Sequence, residues 1–452
     1  MRAPTGAAGH DGAAGTLLFG ALLASTVVVM PTIMLGALAV LVRGELRFGE
    51  TQLGLAAGLF AVSATAVSAP GGRLAERIGA ARTMTVGALI TGAALVAIAV
   101  LAGSWMTLAA CLLVAGIGNG LTQPATNGVL SAAIAPHRQG LAFGFKQAAI
   151  PLAGVLSGLA LPLIALRVGW RWAFAAGGLL ALGVVLVVPR ARAALRLRQA
   201  QTPPAPADGE DSVPLRPLLI ITFAACMGSA ASNVIGAFFV ESTVASGVPE
   251  ANAGYWLIGA AGSGIVARML WGWIADRRDG RHLPFVAWLM VIGAVGLGIL
   301  ALQPAGGPGL LVGAVLAYGA AWGWPGLFNY AIVRQSRAAP AAATGVTQSG
   351  VFAGLVVGPP TFGWLVETLS YRVAWSVFAL LLLLAAALLL VGRAQLLRAR
   401  GRPRATRRAW PVPLRRRGSG AGAATAGRDR QHRWRAARRR STGRAPRSGG
   451  PR

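Results

Sequence analysis

The stretch PGGRLAERIGA at residues 70–80 ends a long uncharged run with a cluster of charges, and WGWIADRRDGR at residues 271–281 makes the same change much later in the chain. Three residues recur between the two stretches at a constant offset of 200: Gly72, Glu76 and Arg77 correspond to Gly272, Asp276 and Arg277. An offset that three residues share indicates that more than this loop is repeated.

Similar short sequences recur elsewhere in the chain at nearly the same offset. GFKQ at residues 144–147 corresponds to GVTQ at 345–348, and Pro124 corresponds to Pro325. These matches extend over most of the chain and predict one six-helix unit that is used twice in the same orientation. Parallel repeats of this kind place a substrate path at the interface between the two halves.

The composition is that of a membrane protein. Of the 452 residues, 55% are hydrophobic and 12% are charged, which is about half the charged share of a soluble domain. Apolar runs of roughly 20 residues, each long enough to cross a bilayer, recur near residues 16–42, 51–70, 83–102, 105–131, 141–166, 171–189, 217–241, 254–275, 284–303, 309–333, 342–367 and 372–392. The sequence therefore predicts an all-α polytopic membrane protein with twelve transmembrane helices.

The positive charge is unevenly placed. The net charge is +29, but residues 393–452 contain 20 Arg and a single acid, Asp429, so the remainder of the chain is only mildly basic. The loops after the even-numbered spans carry most of the other arginines, which predicts that both termini face the cytoplasm in the cell membrane. Five segments follow: a cytoplasmic N-terminal tail at 1–15, a six-helix half at 16–189, a cytoplasmic linker at 190–216, a second six-helix half at 217–392 and a disordered Arg-rich tail at 393–452.

Residues with enzyme chemistry are missing from the sequence. It contains no phosphate-binding loop, and the four histidines have no metal-ligand spacing. Cys111 and Cys226 fall inside apolar runs, and the first run is too long to be a cleaved signal. We expect no enzyme activity, no metal and no cofactor, and coupling to a proton or to a counter-transported solute stays open.

These loops resemble the signature of the major facilitator superfamily, Gly-x-x-x-Asp-Arg-x-Gly-x-Arg, which lies after span 2 and is often echoed after span 8. The first copy would comprise Gly72, Glu76, Arg77, Gly79 and Arg82, and the second Gly272, Asp276, Arg277, Gly280 and Arg281. The segment GWRWAF at residues 169–174 also resembles sequences of this family. The resemblance implies the major facilitator fold and alternating access.

The resemblance also implies a role for these loops in gating. In the family such contacts close the cytoplasmic side, so Glu76 would face the start of span 11, at about 342–345, and Asp276 the start of span 5, at about 140–144. A carboxylate is favourable beside the N-terminal end of a neighbouring helix. The alternative is that these are ordinary solvated loop charges.

Two basic residues, Arg268 and Lys146, fall well inside apolar runs, and no acid occupies the middle of any run. Charges inside a bilayer are costly and usually functional, and Arg can bind a carboxylate through two hydrogen bonds. The string VARMLWG at 266–272 resembles the span-8 arginine segment of the monocarboxylate and oxalate carriers of this superfamily. Alternatively, Arg268 reaches to the cytoplasmic surface or pairs with Asp276.

Neutral amides could form the rest of a substrate site. Buried amides more often join helices than bind ligands, and the candidates are Asn119, Gln123, Asn127, Gln147, Asn233, Asn329 and Gln348.

The favoured function is secondary or facilitative transport of a small organic anion such as a carboxylate. The alternative is a polyspecific drug exporter, although Gly158 is followed by Leu159 where the drug-antiporter pattern has paired glycines. The expected partners are the substrate and the lipid bilayer, with anionic headgroups at the Arg-rich tail, no specific nucleic acid, and a monomeric state. A GC-rich gene that is read past its end would also produce such a tail.

Overall fold

The computed structural model describes residues 7–133, 139–199, 215–277, 282–302, 308–335 and 340–401, and every regular element in those ranges is a helix. The first half contains α1 (Ala7–Ala37), α2 (Ala39–Leu46), α3 (Glu50–Ile78), α4 (Ala80–Leu101), α5 (Trp105–Ala133), α6 (Gln139–Gln147), α7 (Ala149–Ala160), α8 (Leu166–Val168) and α9 (Trp170–Gln199). The second half contains α10 (Leu215–Ala245), α11 (Glu250–Arg277), α12 (His282–Leu302), α13 (Pro308–Leu316), α14 (Trp324–Gln335), α15 (Pro340–Thr368) and α16 (Tyr371–Gly401).

Twelve of these segments are long and apolar enough to cross a membrane, which confirms the predicted number. We number them as spans 1 to 12. Span 5 comprises α6, α7 and α8, with a π-helical turn at Leu161–Ala165, and span 10 comprises α13 and α14, with a π-helical turn at Ala317–Ala321. Helices suit this environment because every main-chain N–H and C=O must be satisfied within the lipid. Large apolar side chains such as Leu179, Phe223 and Trp288 are exposed on the outside of the bundle, as contact with lipid requires.

Successive spans run in opposite directions, so the connecting loops lie at two distinct ends of the bundle. We call the end with the connections after spans 1, 3, 5, 7, 9 and 11 the far end, and the other the terminal end. Span 1 packs against span 7, span 2 against span 11, and span 5 against span 8, so each of these pairs joins one half to the other. The repeat predicts a substrate path between these helices.

Small residues allow the halves to approach closely. A β-carbon on Gly158 of span 5 would lie 2.9 Å from the carbonyl oxygen of Gly254 in span 8, and one on Gly254 would lie 3.0 Å from the carbonyl oxygen of Gly158. Only residues without a side chain permit two helix backbones to meet at this distance.

The helix ends differ from the predicted segment boundaries. α9 continues to Gln199, into the predicted linker, whose residues 200–214 lie outside the described part of the chain. α16 continues to Gly401, because the apolar pattern extends to the buried Leu396. The tail that was predicted from residue 393 therefore begins as a helix, and its residues 402–452 lie outside the described residues.

Candidate functional site

Arg268 lies at the interface of the two halves, with only 3% of its surface exposed. Its Nη2 donates a hydrogen bond to the carbonyl oxygen of Trp322, and its Nη1 lies 3.5 Å from the carbonyl oxygen of Gly264. Gly264 precedes Arg268 by one turn, so the side chain points along span 8 towards the far end. The prediction that Arg268 could reach back to the terminal-end surface is therefore wrong, because main-chain carbonyls hold it inside the bundle.

The irregular backbone of span 10 supplies the carbonyl of Trp322. In the π-helical turn at Ala317–Ala321, the N–H of Trp322 bonds to the carbonyl of Ala317 at 2.9 Å, one residue beyond the usual helical partner. The carbonyl oxygen of Gly319 accepts a hydrogen bond from the indole Nε1 of Trp271 at 2.9 Å. Two side chains of span 8, those of Arg268 and Trp271, thus bind main-chain oxygens in this part of span 10.

Pro325 frees a further carbonyl in span 10. Because proline has no N–H, the carbonyl of Ala321 loses its helical donor. The hydroxyl of Ser232 in span 7 donates to that oxygen and accepts a hydrogen bond from Trp324 Nε1 at 3.0 Å. These contacts join span 7 to span 10 next to Trp322, the residue that Arg268 binds.

The guanidinium of Arg268 has no acidic partner among the described residues. All three ion pairs found there lie at the far end, and the side chain of Asp276 is outside the described set. The ring of Trp322 lies 5.9 Å from the guanidinium carbon, and the hydroxyl of Tyr318 is buried with no hydrogen-bond partner among those residues. Guanidinium carries five N–H donors in a planar fork, so Arg268 keeps donors for an anion.

A small cavity of about 20 Å³ opens beside Arg268, which is room for about one water molecule. It lies between span 5 of the first half and spans 8 and 10 of the second. Its lining comprises Gly144, Gln147, Arg268, Trp271, Gly272, Gly323, Gly326, Leu327 and Tyr330. The structure therefore brings together Arg268 and Gln147, two of the predicted site residues, at one interface.

Lys146 forms a second polar cluster, within the first half. It is 3% exposed, and its Nζ donates to Gln123 Oε1 and to Asn127 Oδ1, the latter at 3.0 Å. Three of the predicted residues thus meet between spans 4 and 5. The amide oxygens already occupy two of the three ammonium donors, so Lys146 is held more completely than Arg268.

The other predicted amides are not gathered with either cluster. Asn233 is fixed by hydrogen bonds to Ser229, at 2.8 Å from its carbonyl oxygen and 3.2 Å from its hydroxyl. The Oδ1 atoms of Asn119 and Asn329 are buried without a hydrogen-bond partner among the described residues. Gln348 is half-buried.

At the far end, two groups of contacts join the halves, and the sequence did not predict either. Arg43 of α2 forms ion pairs with Glu241 of span 7 and, at 3.0 Å, with Glu50 of span 2. Both oxygens of Glu367 in span 11 accept hydrogen bonds from Thr51, from its N–H at 3.0 Å and from its hydroxyl. Both Arg43 and Glu241 lie in helices, at the ends of the apolar runs of spans 1 and 7. That shared position at the ends of spans 1 and 7 was the signal in the sequence from which the ion pair could have been predicted.

A third polar contact lies within the first half. Glu45 accepts hydrogen bonds from Arg171 and from Trp170 Nε1, the latter at 2.5 Å. The hydrogen bond from Arg171, and next that from Trp170, lower the pKa of the Glu45 carboxyl.

The sequence model of the Major Facilitator Superfamily matches residues 14–332 and again 218–442. The chain belongs to this superfamily. Similarity to solved structures supports the superfamily fold. The structure of the proton:xylose symporter XylE, bound to 6-bromo-6-deoxy-D-glucose, has a TM-score of 0.66 and 16% sequence identity. The similarity covers 84% of this chain and 96% of that chain. A bacterial homologue of the human lysosomal transporter Spinster, in an inward-facing and unoccupied conformation, has a TM-score of 0.60 at 17% identity over 86% of this chain and 99% of that chain.

Among curated proteins, the probable sulfoacetate transporter SauU of Cupriavidus necator is 31% identical over 149 residues. This match spans 33% of the present chain and only 34% of the length of the relative. The chain is thus an integral membrane protein of a transporter family, and not of an enzyme family.

The superfamily loop motif is only partly described. Glu76 and Arg77 are exposed and form no ion pair within the described residues, and Gly79 has a φ of +93°, which suits glycine at the turn into span 3. Arg82 is also exposed, and Arg277 stacks on Trp273 at 3.9 Å. The side chain of Asp276 and the residues Gly280 and Arg281 lie outside the described set. The gating role of the motif stays a prediction.

Proposed function

We propose that this protein is a secondary transporter of a small organic anion, and that Arg268 binds the anionic group of the substrate. The observation that carries this proposal is the guanidinium of Arg268, which is buried between the halves with main-chain carbonyls as its only described hydrogen-bond acceptors. The substrate would be exposed to each side in turn as the halves rock about this interface.

The energetic argument concerns the uncompensated charge. Removal of a cation from water costs several kcal/mol unless a counter-charge or a full set of hydrogen bonds repays it. Carbonyl dipoles satisfy part of the guanidinium of Arg268, and an arriving carboxylate or sulfonate would supply the missing negative charge. The site therefore favours anions over neutral or cationic compounds, which argues for an anion carrier.

The partial similarity to a probable sulfoacetate transporter supports the same class of substrate. Sulfoacetate carries a carboxylate and a sulfonate, and one fork-shaped guanidinium can bind either group through two parallel hydrogen bonds. Gln147, which lines the same cavity, is placed to donate a further hydrogen bond. We assign Lys146, with Gln123 and Asn127, to the joining of spans 4 and 5, because its donors are largely occupied.

The orientation belongs to the same proposal. The terminal end carries most of the arginines, so it would face the cytoplasm of the cell, with the far end outside. In that orientation the contacts of Arg43 and Thr51 close the outer side of the path. We propose that the protein works as a monomer, because each monomer contains both halves.

Uptake into proteoliposomes tests the substrate class. The purified chain is reconstituted, and accumulation of labelled sulfoacetate, oxalate, lactate and a lipophilic cation is compared with that in protein-free vesicles. Saturable uptake of at least one of the anions, and none of the cation, is expected. Uptake of the cation alone would contradict the proposal and point to a drug exporter.

A further inference from the structure

Arg43 lies between two carboxylates that belong to different halves. Its Nη1 is 3.0 Å from Glu50 Oε1, in its own half, and also contacts Glu241 Oε1, in the other half. Its Nε donates to the carbonyl oxygen of Phe48 at 2.9 Å. One guanidinium therefore joins the first half to the second at the far end of the bundle.

The second carboxylate oxygen of Glu241 lacks a partner within the described part of the chain. Glu241 is 6% exposed, and its Oε2 is buried without a hydrogen bond among the described residues. A buried carboxylate oxygen that lacks a donor is costly as an anion. This atom could hold a proton without the loss of any existing hydrogen bond.

The charge count of the cluster favours the uptake of one proton. Arg43, Glu50 and Glu241 together carry one excess negative charge. A proton on Glu241 makes the three residues neutral overall and leaves Arg43 paired with Glu50, so no charge is left without a partner. The ion pair that remains lies within the first half, and the ion pair that is lost is the one between the halves.

Few other titratable groups surround Glu241. Span 1 has none between Thr16 and Ala37, and span 11 contributes only Glu367, which Thr51 engages. Tyr371 of span 12 interacts electrostatically with both Glu50 and Arg43. From span 10, the ring of Tyr318 lies edge-on against Phe239, 5.9 Å between ring centres. Span 8 contributes Glu250 at its first turn and Arg268 towards its other end.

We propose that Glu241 is a proton-binding site, and that a proton taken up there from the far side opens the far end of the transporter. The proton adds to the carboxylate of Glu241, and Arg43 withdraws to Glu50. The hydrogen bonds between Thr51 and Glu367 remain to be broken, but they are exposed and therefore weak. The coupling of this opening to substrate movement rests on the proposed transport function.

Distance measurements between spin labels across the far end test the proposal without any substrate. In a Cys111→Ala/Cys226→Ala background, labels are placed at Val168→Cys and Leu369→Cys, two exposed positions in different halves. The full chain in nanodiscs is measured by pulsed electron resonance between pH 8 and pH 5. We expect the ratio of open to closed molecules to rise on acidification, by up to about tenfold per pH unit for one proton.

Three variants identify the group that titrates. Glu241→Gln should be open at every pH, with no titration. Glu50→Gln, which removes the second partner of Arg43, should shift the midpoint to lower pH. Glu250→Gln, another far-end acid without a described contact to Arg43, should titrate as the parent does.

Each result decides for or against the site. A parent protein whose distance does not change with pH, or a Glu241→Gln variant that titrates like the parent, would overturn the proposal. If Glu241→Gln does not fold, an unchanged midpoint in Glu50→Gln still contradicts it, and a lowered midpoint supports it. Failure of anion uptake in proteoliposomes would remove the proposed substrate class but would leave this titration standing.

Discussion

Gly144 in span 5 packs directly against the main-chain carbonyl of Arg268 in span 8. A β-carbon on Gly144 would lie 2.7 Å from that oxygen, which is closer than a β-carbon approaches another atom in folded proteins. Span 5 of the first half therefore contacts the main chain of Arg268, the residue whose guanidinium is buried in the second half. Movement of one half against the other must displace this contact.

Gly144→Ala should push spans 5 and 8 apart and impair transport. The overlap is with main chain, which cannot rotate away, so we expect a loss of stability of about 1–3 kcal/mol together with slower uptake. Melting temperature in detergent and the initial rate of anion uptake measure the two effects.

The repeat offers a matched control for this change. Gly345 occupies the corresponding place in the second half, and a β-carbon there would meet nothing within 4 Å. Gly345→Ala should leave transport intact and slightly favour the helix, by about 0.5–1 kcal/mol. Equal effects of the two substitutions would show that the contact at Arg268 has no special importance.

Arg268→Met should weaken anion binding without loss of the fold. Methionine keeps most of the apolar stem, and removal of a buried charge that lacks an ionic partner is often neutral or stabilising. Loss of hydrogen bonds to a charged group, at about 1.5–3 kcal/mol, predicts an affinity for sulfoacetate that is at least about tenfold weaker.

Calorimetric titration with sulfoacetate measures this affinity, and Arg372→Ala, at an exposed arginine of span 12, serves as the control. Arg268→Lys should recover little, because an ammonium cannot form two parallel hydrogen bonds to one carboxylate. Parental affinity in Arg268→Met would assign Arg268 a purely structural role.

Lys146→Met should affect stability rather than binding. Its removal leaves the amide oxygens of Gln123 and Asn127 without their shared donor, at a cost of about 1–3 kcal/mol for each group that stays buried. We expect a lower melting temperature and an affinity for sulfoacetate close to that of the parent. A stable Lys146→Met variant that no longer binds the anion would instead place Lys146 in the substrate site.

Cysteine labelling tests the orientation of the bundle. Leu369→Cys at the far end and Ile78→Cys at the terminal end are both exposed in the structure. In cells whose outer surface alone is accessible, a membrane-impermeant maleimide should label the first and spare the second. The opposite pattern would invert the proposed topology and place the Arg43 contacts on the cytoplasmic side.

Glu45→Gln should cost little stability at neutral pH, about 0.2–1 kcal/mol for such an exposed ion pair. Because Arg171 lowers the pKa of Glu45, the contribution is present above the usual pKa of a free glutamate, about 4.3, and is lost as the pH falls through the lower value of the folded state. Thermal melts of the parent and the variant should therefore differ at pH 7 and converge in strong acid. A gap that persists in acid would point to an uncharged origin.

The sequence was sufficient for the fold because its signals are local or regular. Apolar run lengths predict the spans, and the shared spacing of Gly72 with Gly272 and of Glu76 with Asp276 predicts two related halves. The chemistry between the halves was less accessible. Arg268 was found because charge is rare inside spans. Its acceptor, the carbonyl of Trp322, is positioned by a π-helical turn, and no side-chain pattern predicts such a turn. The pairing of Arg43 with Glu241 joins residues far apart in sequence, and only the packing of span 1 on span 7 brings them together.

The equivalence of Gly144 with Gly345 makes it possible to compare the chemistry of the two halves position by position. At the place that Lys146 occupies in the first half, the second half has Thr347, whose hydroxyl turns back to its own helix at Ala343. The first half lacks a cation in the place of Arg268, since residues 67 and 68 are Val67 and Ser68. A dimer of two first halves would possess two copies of Lys146 and no guanidinium at the place of Arg268. The halves are copies in shape but not in chemistry, so neither can substitute for the other.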